Sequence, residues 1–205
     1  MLLLLLALAT ITATVRHGEV VVQNGNASRT VTNGGGWSDP AVSPDETTVA
    51  MIHADDDRGE HGHSSLWIAS ATAGAPRRVL AGRESNQAER KLALLSNPHW
   101  SLDGRSIYVD ADAWVTSSAI HRVDVATGAE RFVVDGWSFG VIRSGRWAGH
   151  LLVGQHSYYP RGGSYNPVSV VSPAGRVLFR IPGSAADEGE RSVPRWLSAQ
   201  RTTAS

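Results

Sequence analysis

The sequence predicts an all-β fold assembled from a repeated antiparallel unit, and three observations carry that expectation. Short β-branched runs recur along the 205 residues, each bounded by Gly, Asn, Asp or Pro. Helical periodicity is nearly absent, the one exception being Glu84 to Leu95, where Ala88, Leu92 and Leu95 fall at helical spacing. That stretch reads equally well as a long loop, confined by Gly82 and Asn97-Pro98. Finally, one tight-turn signal appears four times, at Gly25, Gly74, Gly128 and Gly175, spaced 49, 54 and 47 residues apart.

The elements follow in order. Met1 to Ala13 is an apolar run too short to span a bilayer as a helix. It fits the apolar region of a secretory signal peptide over residues 1–14, although no Lys or Arg follows Met1. The alternatives are a misplaced start or a buried strand. Residues 15–205 then form the folded domain. Strands are expected at Glu19–Val22, Thr47–Ile52, Ser106–Val109, Arg131–Val134, Leu151–Val153, Val168–Val171 and Val177–Phe179. Each repeated glycine lies between two such runs, as a hairpin turn requires. A second signal alternates with the first: Asp39-Pro40-Ala41-Val42-Ser43-Pro44-Asp45-Glu46, then Asn97-Pro98-His99-Trp100-Ser101-Leu102-Asp103-Gly104, and a degenerate Val193-Pro194-Arg195-Trp196-Leu197-Ser198. Four short strands per unit of about 45 residues is the arithmetic of a β-propeller blade.

Those residues carry a family resemblance. The order P-x-W-S-P-D-G, strand, loop, strand, x-x-G-x-x-R resembles the WD-like repeat of TolB-type β-propellers. Trp100-Ser101-Leu102-Asp103-Gly104 is the clearest copy, departing at Leu102; the first copy has Val42 for Trp and Glu46 for Gly, and the unit from Trp137 to Gly149 nearly lacks the motif. The resemblance implies four-stranded antiparallel blades over about 37–80, 97–135 and 137–181. A split fourth blade would join strands from 19–32 to a lone inner strand at 193–198. Two arrangements stay open: a four-bladed ring with a defective closing blade, or part of a larger ring. A partial or open propeller is the expectation.

Composition narrows the function classes. Nineteen Lys+Arg balance nineteen Asp+Glu, so there is no field of one sign to drive nucleic-acid binding. Cysteine is absent, which excludes disulfides, thiolate nucleophiles and Cys-based zinc sites. No phosphate loop or HExxH occurs, and no catalytic residue and no cofactor is assigned.

Candidate binding residues lie in long loops expected on one rim of the blades. The first, His53 to His63, holds Asp55, Asp57, His61 and His63; its spacing matches no calcium loop, so no metal is assigned, although His61 and His63 with Asp55 or Asp57 would be the ligands if one bound. The second, from Asp110, holds Asp112 and Trp114, and the third, His156 to Asn166, holds Tyr158, Tyr159, Arg161 and Tyr165. Trp100 and Trp196 are expected at blade interfaces, and His99 and His121 facing solvent or a neighbouring strand. The resemblance implies a periplasmic or secreted, non-enzymatic module that binds a protein partner, with no nucleic acid and no stable membrane span in the mature chain. The alternative is a propeller fragment related to the non-catalytic domain of a prolyl-oligopeptidase-class secreted peptidase. A metal-assisted enzyme on the His-Asp loop is a third reading.

Overall fold

A computed structural model describes residues 10–56, 62–115 and 117–202. Four antiparallel sheets follow one another along the chain, each strand pairing with the next. Blade I has three strands: β1 (Ile11–Arg16), β2 (Glu19–Asn24) and β3 (Ala27–Thr30). Blade II is β4 (Trp37–Val42), β5 (Thr48–Ala54), β6 (Ser64–Ser70) and β7 (Arg77–Ala81). Blade III is β8 (Ala93–Trp100), β9 (Ser106–Trp114), β10 (Ser117–Asp124) and β11 (Glu130–Asp135). In blade IV, β12 (Trp137–Val141) and β13 (Leu151–Gly154) are followed by a small hairpin, β14 (Ser157–Tyr158) and β15 (Ser164–Tyr165); then come β16 (Val168–Val171) and β17 (Val177–Arg180). Two helices close the described chain, α1 (Ser184–Asp187) and α2 (Ser192–Thr202).

The repeated sequence signals fold as repeated local structure. In blade II, Ser43 Oγ donates to Asp45 (2.6 Å) and accepts from Thr48 N (3.0 Å). In blade III, Ser101 Oγ donates to Asp103 (2.6 Å) and accepts from Ser106 N (2.9 Å). These serine bonds, with backbone donors from Thr47 and Arg105, hold both carboxyl groups below the usual range. Glu46 and Gly104 occupy the same left-handed corner, at φ 59° and 67°.

Packing is between consecutive sheets. Val20, Val22 and Val31 of blade I meet Val49, Met51 and Ala69 of blade II. The other face of blade II, with Ile52, Leu66 and Leu80, meets Trp100, Ile107 and Val109 of blade III. Trp100 Nε1 donates across that interface to Ala41 O (2.8 Å). Blade III then meets blade IV through Tyr108, Ile120, Val134, Leu151 and Val153.

A second repeated device latches each blade to the next. Arg29 on β3 donates to Ser70 O (3.0 Å) and Gly74 O (2.6 Å) in blade II. Arg77 on β7 donates to Val125 O (2.9 Å) in blade III, and Arg131 on β11 to Pro173 O (2.8 Å) in blade IV. The receiving turn comes close enough to need glycine: a Cβ on Gly128 would lie 2.7 Å from Val79 O, and one on Gly175 would overlap Val133 O. In blade IV the residue three after the turn glycine, where Arg77 and Arg131 stand in blades II and III, is Leu178.

Blade IV is followed by a helix instead of another blade. Its outer face, Ile142, Leu152, Val168 and Val170, is covered by Ile181 and Val193, with Trp147, Phe179, Trp196 and Leu197 packed alongside. Phe179 stacks between Trp147 and Trp196, at centroid distances of 6.3 and 6.0 Å. Asp187 starts α2 by accepting from Ser192 Oγ (2.8 Å) and Ser192 N (2.8 Å), and these bonds lower its pKa.

Several expectations are corrected. Val193 to Ser198 is not a lone inner strand but the first part of α2. The expected split blade does not form, and the reason is compositional. Blade I turns Thr12, Thr14, Val21, Gln23, Ser28 and Thr30 outward, a largely polar face with no counterpart for the apolar face of blade IV. Blade I therefore carries a polar face, and the apolar face of blade IV is covered by α2. Among the described residues, none of the four core clusters joins blade I to blade IV or to α2. Residues 1–9 lie outside the described residues, and the expected boundary at residue 14 falls inside β1, which pairs with β2 throughout. Ala88–Arg90 forms only a short 3-10 turn within the 82–92 connection. Of the two expectations for His121, the neighbouring strand holds: it is fully buried, with Nδ1 2.5 Å from Glu130 on β11, whose other oxygen accepts from Arg83 (2.7 Å).

Candidate functional site

Two layers of polar chemistry lie along the blades: a buried cluster on the inner strands, and a rim of loops at the ends of the second strands. The buried cluster was not singled out from sequence. Asp110 was expected at the start of a loop, but β9 runs on to Trp114 and Asp110 sits inside it, 4% exposed. Each inner strand is interrupted by an irregularity next to β5, β9 or β13. In β4 and β8 that irregularity is an Asx-Pro step with the Asx in the left-handed region, Asp39 at φ 50° and Asn97 at φ 54°. The kink at Asn97 aims its side chain across to blade IV. Its Nδ2 donates to Asp110 (3.1 Å) and to Ser138 O (2.6 Å). Ser138 N and Oγ both donate to Asp110, the hydroxyl at 2.8 Å. Asp110 is therefore the acceptor that joins blades III and IV.

Burial pushes the Asp110 carboxyl up to about 6, against the bonds from Asn97 and Ser138. A carboxyl raised from 3.8 in the unfolded chain to about 6 in the folded one adds stability at low pH that is lost as pH rises between those values. Two units correspond to no more than about 3 kcal/mol. Asp45, Asp103, Asp124 and Asp187 are lowered instead, so their contribution is lost only as pH falls through the usual carboxylate range. In urea unfolding the stability of the wild-type protein relative to Asp110→Asn is expected to fall as pH rises from 4 to 6.5, a comparison that cancels the opposite contribution of His99, whose pKa burial lowers. A slope unchanged in Asp110→Asn contradicts the assignment. His99, beside Gly140, is held below its ordinary value by burial.

On the rim, the first loop closes on itself. Asp55 accepts from Ser65 Oγ (2.6 and 2.7 Å) and contacts His53 Nδ1 (3.1 Å). Asp56 accepts from His63 N (3.0 Å) and lies 3.3 Å from His63 Nδ1. The order is Ser–Asp–His, with the carboxylate in the middle, so the serine proton points at the acid and not at an imidazole base. That is not a nucleophile relay. Asp57 and His61 lie outside the described residues. Among the described residues, no three His, Asp or Glu side chains converge as a cation site.

The other two loops present aromatic surface. Asp112 and Trp114 line a rim hollow of about 390 Å³ with Val115, Ser117, Ser118 and Trp137. Trp114 is 41% exposed and Val115 fully so. In the β14–β15 hairpin, Tyr159 stacks on Tyr165 at 4.4 Å, and Tyr158 stands 69% exposed. Arg161 is exposed in the turn closed by Tyr159 N to Gly163 O (3.0 Å). The hairpin is anchored through His156 to Asn166 (2.8 Å) and Asn166 to Glu188 (2.9 Å). The structure thus brings Tyr159 to Tyr165 and Asp112 to Trp114; Asp55 N donates to His63 O (2.8 Å), while the Asp55 side chain pairs with His53 and that of His63 with Asp56.

Comparison with solved structures bears on the blades. The chain is similar to a putative TolB from Agrobacterium tumefaciens at 19% identity and TM-score 0.50, covering 86% of this chain and 59% of that one. The fold is that of a TolB-like β-propeller. The β-propeller domain of the Trilobed protease from Pyrococcus furiosus, with its open velcro topology, aligns at 15% identity and TM-score 0.52, covering 82% and 52%. Porphyromonas gingivalis dipeptidyl peptidase 4 aligns at 11% identity and TM-score 0.57, covering 85% of this chain and 31% of that one. The chain spans less than two thirds of the length of each of these proteins. No protein-family model matches it, and a search of curated proteins returns no match.

Proposed function

We propose that this chain is an exported, non-enzymatic module that binds a protein partner through its aromatic rim. The observation that supports the reading is the exposure of Trp114 at the end of β9, and of Tyr158 and Tyr159 in and just after β14, on a β scaffold. Tyr and Trp supply large contact area at low entropy cost and are enriched at binding hot spots. The Ser65–Asp55–His53 order is that of a structural hydrogen-bond chain, which accords with a non-catalytic role. Export is supported by the apolar run that opens the sequence. No helix among the described residues is long and apolar enough to cross a membrane.

The peptidase-related reading rests on the likeness to dipeptidyl peptidase 4, which at 11% identity is a likeness of fold. In that reading α2 would lie where a further blade packs, and Leu178 would stand where a latching arginine is needed.

A photo-crosslinking residue placed at Trp114 or Tyr158 in the exporting cell is expected to trap one protein species. The same residue at Val177, exposed at the start of β17, is expected to trap none. Combining Trp114→Ala, Tyr158→Ala and Tyr159→Ala is expected to weaken capture at least tenfold, with thermal stability changed by less than about 1 kcal/mol. Equal adducts at rim and control positions contradict the reading.

A further inference from the structure

The rim hollow of about 390 Å³ has one wall shaped by an irregular strand pair and another made by a fixed indole. Between β9 and β10 the register shifts at Ser117 and Ser118. Trp114 stands opposite Ser117 and Asp112 opposite Ser118, so Ala113 is left without a cross-strand partner. An extra residue of this kind is a β-bulge, which bends its strand and re-aims the side chains beside it. Ser117 and Ser118 are consecutive and would point to opposite faces of a regular strand, yet both line the same hollow as Asp112 and Trp114. Trp137, the first residue of β12 in blade IV, completes the lining. Its indole packs against Gly154 of β13, where a Cβ would lie 2.5 to 2.7 Å from three ring atoms.

The lining holds one carboxylate, two indoles and two hydroxyls, and no Lys, Arg or His. Among the described residues, no hydrogen bond or ion pair engages the Asp112 carboxylate. Ser117 Oγ donates to Ser118 O (3.4 Å), which leaves its own lone pairs free to accept. This chemistry selects a cation. An anion would face Asp112 with no positive group on the lining to offset it. An apolar side chain would cover an unpaired carboxylate, which is costly. A metal ion needs several charged or imidazole ligands, and no three His, Asp or Glu of the described residues converge. A guanidinium uses every part of the lining. It forks onto a carboxylate, rests its planar face on an indole and has further N–H groups for the serine oxygens.

We propose that this hollow is the specificity pocket of the rim and takes an arginine side chain of the protein partner. The inference rests on the rim reading above and names what the rim selects. Asp112 recognises the charge, Trp114 and Trp137 the planar face, and Ser117 and Ser118 the remaining donors. Exposed Trp114 and Val115 beside the hollow offer apolar surface to the residues flanking that arginine, a contact that a free cation would leave unused.

The test uses the full chain and N-acetylarginine amide as the probe. N-acetylcitrulline amide, a neutral urea of nearly the same shape, is the comparison. In heteronuclear NMR spectra the indole N–H signals of Trp114 and Trp137 are expected to shift saturably with the arginine amide, and at least fivefold more weakly with the citrulline amide. Asp112→Asn is expected to weaken arginine-amide binding by at least fivefold, and Trp114→Ala, read at Trp137, by about two- to fivefold. Glu89→Gln makes the same charge change at an exposed position in the 82–92 connection and is expected to alter nothing. Both probes are compared on the unaltered protein, so the result does not depend on a variant folding. Equal binding of the two amides overturns the proposal. Equal weakening by Asp112→Asn and Glu89→Gln also overturns it, by assigning the effect to net charge. Photo-crosslinking from Tyr158, outside the hollow, reads the rim separately, and Asp112→Asn is expected to lower the yield of the trapped protein. A protein trapped at Tyr158 with no arginine-amide shift overturns the pocket and leaves the rim reading standing. Arginine-amide binding with no trapped protein assigns the hollow to free small cations, and overturns both.

Discussion

Gly175→Ala is expected to destabilise the protein by about 4 kcal/mol, the largest effect of any single methyl group in the turns between outer strands. Gly175 has φ 89°, where an alanine costs about 1–2 kcal/mol by itself. The added Cβ would also overlap the Val133 carbonyl of blade III, a backbone atom that cannot turn aside. Relieving the overlap requires blades III and IV to move apart, opening the interface of Val134, Leu151 and Val153. The related turns form a graded series. Gly128→Ala meets Val79 O at 2.7 Å and is expected to cost about 2–3 kcal/mol. Gly74→Ala meets nothing within 4 Å, and only its φ of 89° opposes the substitution, for about 1 kcal/mol. Urea denaturation of the three variants checks the order. Equal losses would mean that the turns do not contact the preceding blade as described.

Val193→Asp is expected to release α2 from blade IV. Val193 is 6% exposed against Ile142, Leu152, Val168 and Val170, and a carboxylate there would be buried without a partner. That burial costs several kcal/mol, so detachment of the helix is the cheaper outcome. The apolar face it leaves is large enough to aggregate, since three strands contribute to it. The expected result is a loss of about 3–5 kcal/mol in urea unfolding, with increased binding of a hydrophobic dye. Arg195→Asp, on the exposed side of the same helix, is expected to stay within about 0.5 kcal/mol. If both variants behave alike, α2 is not packed on blade IV.

The blades were legible because two short signals repeat in sequence and each has a local mechanism. Ser43 and Ser101 organise the same turn through the same three atoms, and glycine at 74, 128 and 175 answers a left-handed turn. The inner-strand motif misled at Val193 to Ser198, where Pro and Trp recur at the spacing seen in Asn97 to Ser101. There the tertiary environment decides. Val193, Trp196 and Leu197 cover an apolar sheet only when spaced on one side of a helix, and a strand would put Trp196 and Leu197 on opposite faces. Of the rim residues expected in loops, Asp112 and Trp114 lie at the end of β9, Tyr158 in β14 and Tyr165 in β15, and the stacking of Tyr159 on Tyr165 was not accessible, since it depends on a short hairpin that leaves no periodic trace. Asp110 was missed because one carboxylate in a β-branched run looks like the end of the strand. The signal available was its position: it lies four residues after Ser106, on the same face as Tyr108, in a strand buried on both faces.

The central claim is that Val193 to Ser198 packs on blade IV as a helix and is not the inner strand of a closing blade. The absence of cysteine makes this directly measurable, because a single cysteine can be introduced at each position from 192 to 200 and spin-labelled. Label mobility is expected to be lowest at 193, 196, 197 and 200, the period of a helix with one face on blade IV. Mobility alternating at every second residue would place this segment in a sheet and contradict the account.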